Sequence, residues 1–387
     1  MKAIELFAGA GGLGLGVSRA GFSPKAVVEW DKWCCDTLRE NRKAEASLIR
    51  HWPEPIEGDV RDLDFREYDG SLDLVTGGPP CQPFSLGGKH QAHNDTRDMW
   101  PEAVRAVREA KPRAFIFENV KGLTRASFAT YLAYIEHQMT YPEIVRAPVE
   151  PWEDHLRRLE RHHTGRRGPD GLTYRVIFRV LNAANHGVSQ RRERVVFVGF
   201  RSDLGVEWSF PDETHSLDAL LWDQLNGDYW ERHKVAKGDR LIAGRLLERA
   251  RRLDEKPQLQ PWRTTRDAIG DLPDPEKQPR KAGMHHNHRF QAGARSYPGH
   301  TGSPLDEPAK TLKAGVHGVP GGENMLRRAD GSVRYFTVRE SARLQTFPDD
   351  FRFHGSWTET MRQLGNAVPV ELASVIARSV GQRLEGV

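Results

Sequence analysis

Three groups of side chains have the types and spacing to do chemistry. Cys81 follows Gly77-Gly78-Pro79-Pro80 and precedes Gln82-Pro83-Phe84-Ser85. Proline locks φ, and a residue before proline is driven to extended backbone, so this thiol has a stiff support and can be aimed. Glu118 closes a later apolar run, Ala114-Phe115-Ile116-Phe117. Gln190-Arg191-Arg192-Glu193-Arg194 stands directly before another, Val195-Val196-Phe197-Val198. Arginine is costly to desolvate unpaired. A dense cluster at the start of a buried strand would grip phosphates or a carbonyl oxygen, or form a salt-bridge network with Glu193. Each feature taken alone has a plainer reading. A loop cysteine packs as a small apolar group, and a glutamate can simply cap a strand end.

The surrounding elements bring these groups together. Residues 4–7 read as a strand running into Gly9, Gly11 and Gly14, a G-x-G-x-x-G pattern with a helix-compatible stretch after it. Glycines there permit a tight turn and close approach of a cofactor to backbone N–H groups. A second apolar run ends in Glu29, placed to accept ribose hydroxyls, and Trp30 offers a flat face to an adenine. A helix is expected over 32–41, a turn with an acid at Gly58-Asp59, a strand at 72–76, and a helix entered through Pro101 in its first turn. This alternation predicts a doubly wound α/β sheet. The Gly loop, Glu29, Asp59 and Cys81 all fall at carboxyl ends of strands, where such sheets collect ligands. One loop–helix–strand crossover separates Cys81 from Glu118, so thiol and carboxylate can share a cleft. The polar loop 86–98 has the length of a functional lid.

Composition narrows the class. The 387 residues allow two or three domains. No apolar run approaches the ~20 residues needed to cross a bilayer, and nothing resembles a signal peptide. Cys34, Cys35 and Cys81 are the whole cysteine complement, which points to a reducing cytoplasm. Net charge is +4, yet residues 231–330 carry 20 Lys+Arg against 13 Asp+Glu, a local excess suited to a polyanion or to an ordinary solvated surface. The same region is loop-rich, with eight glycines and four prolines between Gly283 and Gly322. His285, His286 and His288 lack a cysteine or acid at ligand spacing, so no metal is expected. Residues 121–170 say little; Trp152 to His163 reads as an exposed basic helix. Thr337 and Glu340 form a capping box. A last amphipathic helix after Pro369 needs a core, and the first domain is the expected one.

Eight motifs occur in an order that identifies a resemblance. They are Phe7-Ala8-Gly9-Ala10-Gly11-Gly12, Glu29-Trp30-Asp31, Gly58-Asp59-Val60, Pro79-Pro80-Cys81-Gln82, Glu118-Asn119-Val120, Gln190-Arg191-Arg192-Glu193-Arg194, Arg339-Glu340 and Gly365-Asn366-Ala367-Val368-Pro369. With them the chain resembles the DNA (cytosine-5)-methyltransferases of bacterial restriction–modification systems over nearly everything except about 121–170 and 205–330.

The resemblance implies an S-adenosylmethionine-dependent Rossmann-like methyltransferase fold with a smaller loop-rich target-recognition domain. Residues 1–204 would form the catalytic domain, completed by 357–387. Residues 205–335 would recognise the target, and 336–356 would be a helix and hinge. Cys81 would attack C6 of a flipped-out cytosine, with Glu118 at N3, Arg194 at O2 and Arg192 beside the thiol. The S-adenosylmethionine pocket would use Phe7, Gly9, Gly11, Glu29, Trp30, Asp59, Val60, Pro80, Asn366 and Val368. Gln82, Ser85, Arg97 and Thr311 would contact DNA. The implied partner is double-stranded DNA, methylated by a cytoplasmic, nucleoid-associated monomer. A cognate restriction endonuclease would act on the same site without stable contact. A tRNA-methylating branch of the family, a catalytically silent DNA-binding module and a nicotinamide-dependent oxidoreductase are the alternative readings.

Overall fold

A computed structural model describes residues 1–80, 98–165, 171–314 and 322–387. Its central sheet is built from β1 (Lys2–Leu6), β2 (Ser23–Glu29), β3 (Ile56–Glu57), β4 (Leu74–Gly77), β5 (Ala114–Val120), β6 (Tyr174–Asn182) and β7 (Glu193–Arg201), in the order β3-β2-β1-β4-β5-β7-β6. The first five are parallel, as the alternation of strands and helices predicts. Strand order reverses between β1 and β4, the switch point at which a doubly wound sheet opens a crevice. The Gly loop leaves one of these two strands and the Gly-Gly-Pro-Pro turn leaves the other. β7 enters antiparallel between β5 and β6, in register so that Glu118 lies opposite Val196 and Val120 opposite Arg194.

Helices cover both faces. α3 (Trp100–Ala110) and α4 (Ala129–Thr140) bury Trp100, Val104, Val107, Ile135 and Met139 against Phe115, Phe117 and Phe197. The opposite face takes α1 (Gly12–Arg19), α2 (Lys32–Lys43) and the last helix, named α8 below. Asp31 caps α2 by accepting from the Cys34 amide at 3.0 Å. The expected exposed helix is present as α5 (Trp152–Thr164), but one face is not solvated. His155, Leu156 and Leu159 are buried, and His155 Nδ1 lies 2.8 Å from the Tyr134 hydroxyl on α4. The apolar spacing of Trp152, Leu156 and Leu159 outweighs the helix's charged composition.

Between 205 and 335 the elements are short. His215–Ser216 pairs with Gln260–Pro261, and Ser303–Pro304, Met325–Arg327 and Val333–Tyr335 form a small sheet. The apolar groups here gather in two small clusters, one around Tyr229 and Trp230, the other around Ile269, Leu312, Leu326 and Phe336. His288 is fully buried, with Nδ1 2.8 Å from Thr337 Oγ1 and Nε2 2.8 Å from the Pro273 carbonyl.

The chain then returns to the sheet through α6 (Val338–Leu344), α7 (Trp357–Asn366) and α8 (Val370–Leu384). The Thr337–Glu340 capping box opens α6 as expected, and Glu340 also holds Arg334. Two buried polar groups of α2 receive the returning chain. Asn41 donates to the Arg352 carbonyl at 2.6 Å and accepts from the Arg352 amide at 2.7 Å. Thr37 donates to Gln363 Oε1 at 2.8 Å. α8 then lies so close to α1 that side chains would collide. A Cβ on Gly16 would sit 2.4 Å from Ala373 Cβ and 2.5 Å from the Val370 carbonyl oxygen.

Gly16→Ala therefore overpacks this seam and is expected to lower the unfolding free energy by about 1–3 kcal/mol. Gly238→Ala, which meets open space, should change it by less than about 0.5 kcal/mol. Denaturant unfolding of both variants checks the difference.

Candidate active site

The cofactor-side residues are built around Glu29. Its carboxylate ends β2 nearly buried, and three backbone amides converge on it: Gly9 at 2.6 Å, Asp31 at 2.8 Å and Trp30 at 2.9 Å. Burial pushes this carboxyl above its ordinary range, and the amides pull it back. The Gly9 bond is possible because the loop twists into the left-handed region at Phe7, Gly9 and Gly11 (φ +54°, +54° and +85°). Nothing lies within 4 Å of a Cβ placed on Gly9, so the loop faces open space. Trp30 beside it is 69% exposed, presenting an indole face. The Gly58 amide donates to the Glu29 carbonyl at 3.0 Å, which brings the Asp59 turn alongside. Asp59 is gripped by Arg61 and held below its usual range. Val60 is buried, its carbonyl accepting from Arg105 at 2.8 Å. From the C-terminal side, a Cβ on Gly12 would lie 2.3 Å from the Val368 carbonyl oxygen, so Val368 borders the same loop. Asn366 is exposed at the end of α7. These residues form an open cradle with an acid, amides and an aromatic face, a donor set suited to an adenosine-containing cofactor.

The second group surrounds Glu118. Arg194 Nε lies 2.6 Å from Glu118 Oε1, with both side chains about nine-tenths buried. Burial raises the Glu118 carboxyl above its ordinary range, while Arg194 and Arg192 draw it down. Burial also lowers Arg194. A Cβ on Gly78 would lie 3.3 Å from Glu118 Oε2, which puts the carboxyl at the neck of the Gly-Gly-Pro-Pro turn. Asn119 fixes that turn by donating to the Pro79 carbonyl at 3.0 Å, and Pro80 accepts from the Met99 amide at 3.2 Å. Cys81, Gln82, Ser85 and Arg97 lie outside the described residues.

Arg192 is the arginine expected beside the thiol. It is fully buried, donating from Nη1 to the Leu312 carbonyl at 3.0 Å and from Nη2 to the Gly365 carbonyl at 2.7 Å. Only its Nε lacks a partner among the described residues. Thr311, expected at DNA, donates its hydroxyl to the Arg191 carbonyl at 2.6 Å. Gln190 and Ala309 form a parallel bridge, with Ala309 donating to Ser189 and Arg191 donating to Ala309. The arginine motif thus docks the 309–313 segment onto the sheet. Three contributors escaped sequence reasoning: the Asn119 tether, the Asp31–Arg362 ion pair at 2.9 Å, and Glu5. Glu5 left a signal, an acid inside the apolar strand Ile4-Glu5-Leu6, whereas Asn119 and Asp31 stood in motifs that did not announce these bonds.

A family model described as C-5 cytosine-specific DNA methylase matches residues 1–140 and 170–382. The chain belongs to this family. DNA (cytosine-5)-methyltransferases are enzymes that methylate C5 of cytosine in DNA, and membership sets aside the oxidoreductase and silent-module readings. The methylase resembles the Type II methyltransferase M.PspPI of a Psychrobacter species, at 33% identity over 97% of this chain and 78% of that protein. It is 31% identical to M.NgoMIV of Neisseria gonorrhoeae over 99% of this chain and 97% of the relative. The S. pombe Dnmt2 methyltransferase shares the fold (TM-score 0.55, 17% identity, 100% and 99% of the two chains covered). The sheet is accordingly the Rossmann-like methyltransferase fold. The stretch 141–169, outside the family match, contains α5. Among the described residues no helix is long and apolar enough to cross a membrane.

Arg192→Lys keeps the charge but loses the two-pronged reach. It is expected to cost roughly 1–3 kcal/mol for the carbonyl left unpaired. Urea unfolding followed by tryptophan fluorescence measures it.

Proposed function

We propose that this methylase transfers a methyl group to C5 of a flipped-out cytosine in a specific double-stranded DNA sequence through a covalent bond between Cys81 and C6. The observation that carries the reading is the buried Glu118–Arg194 pair at the neck of the turn that leads to Cys81. Residues 1–204 with 357–387 act as the catalytic domain, 205–335 as the recognition domain, and 336–356 as the hinge. S-adenosylmethionine supplies an electrophilic methyl carbon; Phe7, Gly9, Gly11, Glu29, Trp30, Asp59, Val60, Pro80, Asn366 and Val368 hold it. Gln82, Ser85, Arg97 and Thr311 serve the DNA. The enzyme works as a cytoplasmic monomer, beside a restriction endonuclease that shares its site without binding it.

The chemistry explains the residue types. Cytosine C5 is a poor nucleophile. When the Cys81 thiolate bonds to C6, the C5–C6 π electrons move into the ring and N3 takes up a proton from Glu118, leaving an enamine at C5. The raised affinity of buried Glu118 for its proton suits it to this donation at neutral pH. Arg194, 2.6 Å from that carboxyl, orients it and reaches the cytosine O2. Once C5 carries the methyl group, loss of the C5 proton to water returns electrons to the ring. The C6–S bond then breaks, restoring the thiolate and the C5–C6 double bond, and N3 returns its proton to the Glu118 carboxylate. The base must leave the helical stack to reach these groups, at a cost of a few kcal/mol.

Cys81→Ser should abolish methyl transfer while leaving S-adenosylmethionine binding intact. Duplexes carrying 5-fluorocytosine should trap the wild-type enzyme, because fluorine cannot leave as a proton does. Turnover by the serine variant, or absence of an adduct on target duplexes in a denaturing gel, contradicts the covalent route. Glu118→Gln should lower kcat by roughly 10²–10⁴-fold. A carboxyl raised by burial keeps its proton until the pH exceeds its folded value, so wild-type kcat falls on the alkaline side. That limb should vanish in the glutamine variant, as pH–rate profiles would report.

A further inference from the structure

Glu5 is a buried acid that the methyl-transfer chemistry does not use. It sits in the middle of β1, 3% exposed, on the face covered by α1. Its register partners are Thr76 on β4 and Val27 on β2. Gly14, in the first turn of α1, borders its carboxyl: a Cβ built there would lie 3.3 Å from the Glu5 carboxyl carbon. Gly14 has no side chain because the Trp52 ring already occupies that space, 2.7 Å from a Cβ built there. No ionised side chain among the described residues acts on Glu5.

Counting protons shows how the pair is bonded. Thr76 Oγ1 lies 3.2 Å from the Ile4 carbonyl oxygen and also contacts Glu5 Oε2. A hydroxyl carries one proton, and a carbonyl can only accept. A carboxylate would compete with Ile4 for that proton and leave one contact without any. A neutral carboxylic acid satisfies both, with Glu5 donating to Thr76 and Thr76 to Ile4. Burial pushes the Glu5 carboxyl up to about 8, in agreement with the count.

The location matters more than the protonation. Leu6 pairs with Gly77 one residue beyond, so closely that a Cβ on Gly77 would lie 2.7 Å from the Leu6 carbonyl oxygen. From this seam β1 runs into the Gly loop and β4 into Gly78-Pro79-Pro80. We propose that Glu5 is a positioning residue, a neutral acid whose proton bonds β1 to β4 where the cofactor loop and the nucleophile turn diverge. Losing that proton strands an anion in an apolar layer, opens the seam and lets the cofactor loop shift. Thr76 is the second member of the device and Gly14 the third.

The proposal rests on the reading of the Gly loop as the S-adenosylmethionine site. It is tested with S-adenosylhomocysteine, a stable probe of that site, by calorimetry on the full chain across neutral and alkaline pH. Wild-type affinity should be flat below the Glu5 titration and fall about tenfold per pH unit above it, the signature of one linked proton. Glu5→Gln, neutral at every pH and of the same length, should show no break. Infrared difference spectra of wild type against Glu5→Gln at pH 7 should contain a protonated carboxyl C=O band belonging to Glu5. A wild-type profile without a break, a break retained in the variant, or no such band overturns the proposal. Absence of S-adenosylhomocysteine binding at every pH overturns the cofactor reading instead, and the infrared band then still decides the state of Glu5.

Discussion

A guanidinium that water does not reach must find its acceptors in the protein, and Arg192 finds them in two distant places. One is the Leu312 carbonyl, in the segment that the arginine motif docks; the other is the Gly365 carbonyl, at the end of α7. Breaking a buried charged contact costs several kcal/mol, because the charge is left without compensation. Three stretches of chain are therefore obliged to meet at one point. Arg194, two residues on, is delivered to Glu118 by the same strand, and Glu118 is opposed to the Gly78 turn. The proximity of the 309–313 segment, α7 and the acid follows from where one arginine can satisfy its donors.

The glycines serve two physical needs that look alike in sequence. Gly9 and Gly11 are required by backbone conformation, since both adopt positive φ so that an amide can face Glu29. Gly12 and Gly16 are required by packing, because the backbone around Val368 and Val370 fills the space of a side chain. The glycine-rich stretch that opens on a fingerprint usually read as phosphate-binding or cofactor-binding thus continues, at Gly16, into a helix–helix interface. The two uses lie side by side, the twisted loop leading directly into the packed α1.

Much of this was legible from the residues. The parallel strands, the cap at Thr337, the single crossover between the Cys81 turn and Glu118, and the return of the C-terminal helix all follow from short-range patterns: apolar period, cap chemistry and turn residues. The antiparallel insertion of β7 between β5 and β6 was not legible, because alternation along a strand does not encode its direction in the sheet. Nor was the docking of α5, where an abundance of charges concealed a narrow apolar stripe. Arg192 and Thr311 have types suited to grip phosphate. Only the fold reveals that both also hold backbone carbonyls, Arg192 those of Leu312 and Gly365 and Thr311 that of Arg191. Asn119 was visible as part of a motif, but its bond to Pro79 depends on two strand ends meeting side by side.

The α1–α8 seam also bears on how the protein is made. Arg19 and Glu371 form an ion pair across it although 352 residues separate them in the chain. Translation proceeds from the N-terminus, so α1 emerges before α8, and one of its flanks stays bare until Val370–Leu384 has been made. Such long-range closure is slow and leaves apolar surface accessible to chaperones in the interval. It also acts as a check on completeness. A polypeptide released before residue 370 lacks the helix that packs against α1 directly after the Gly loop.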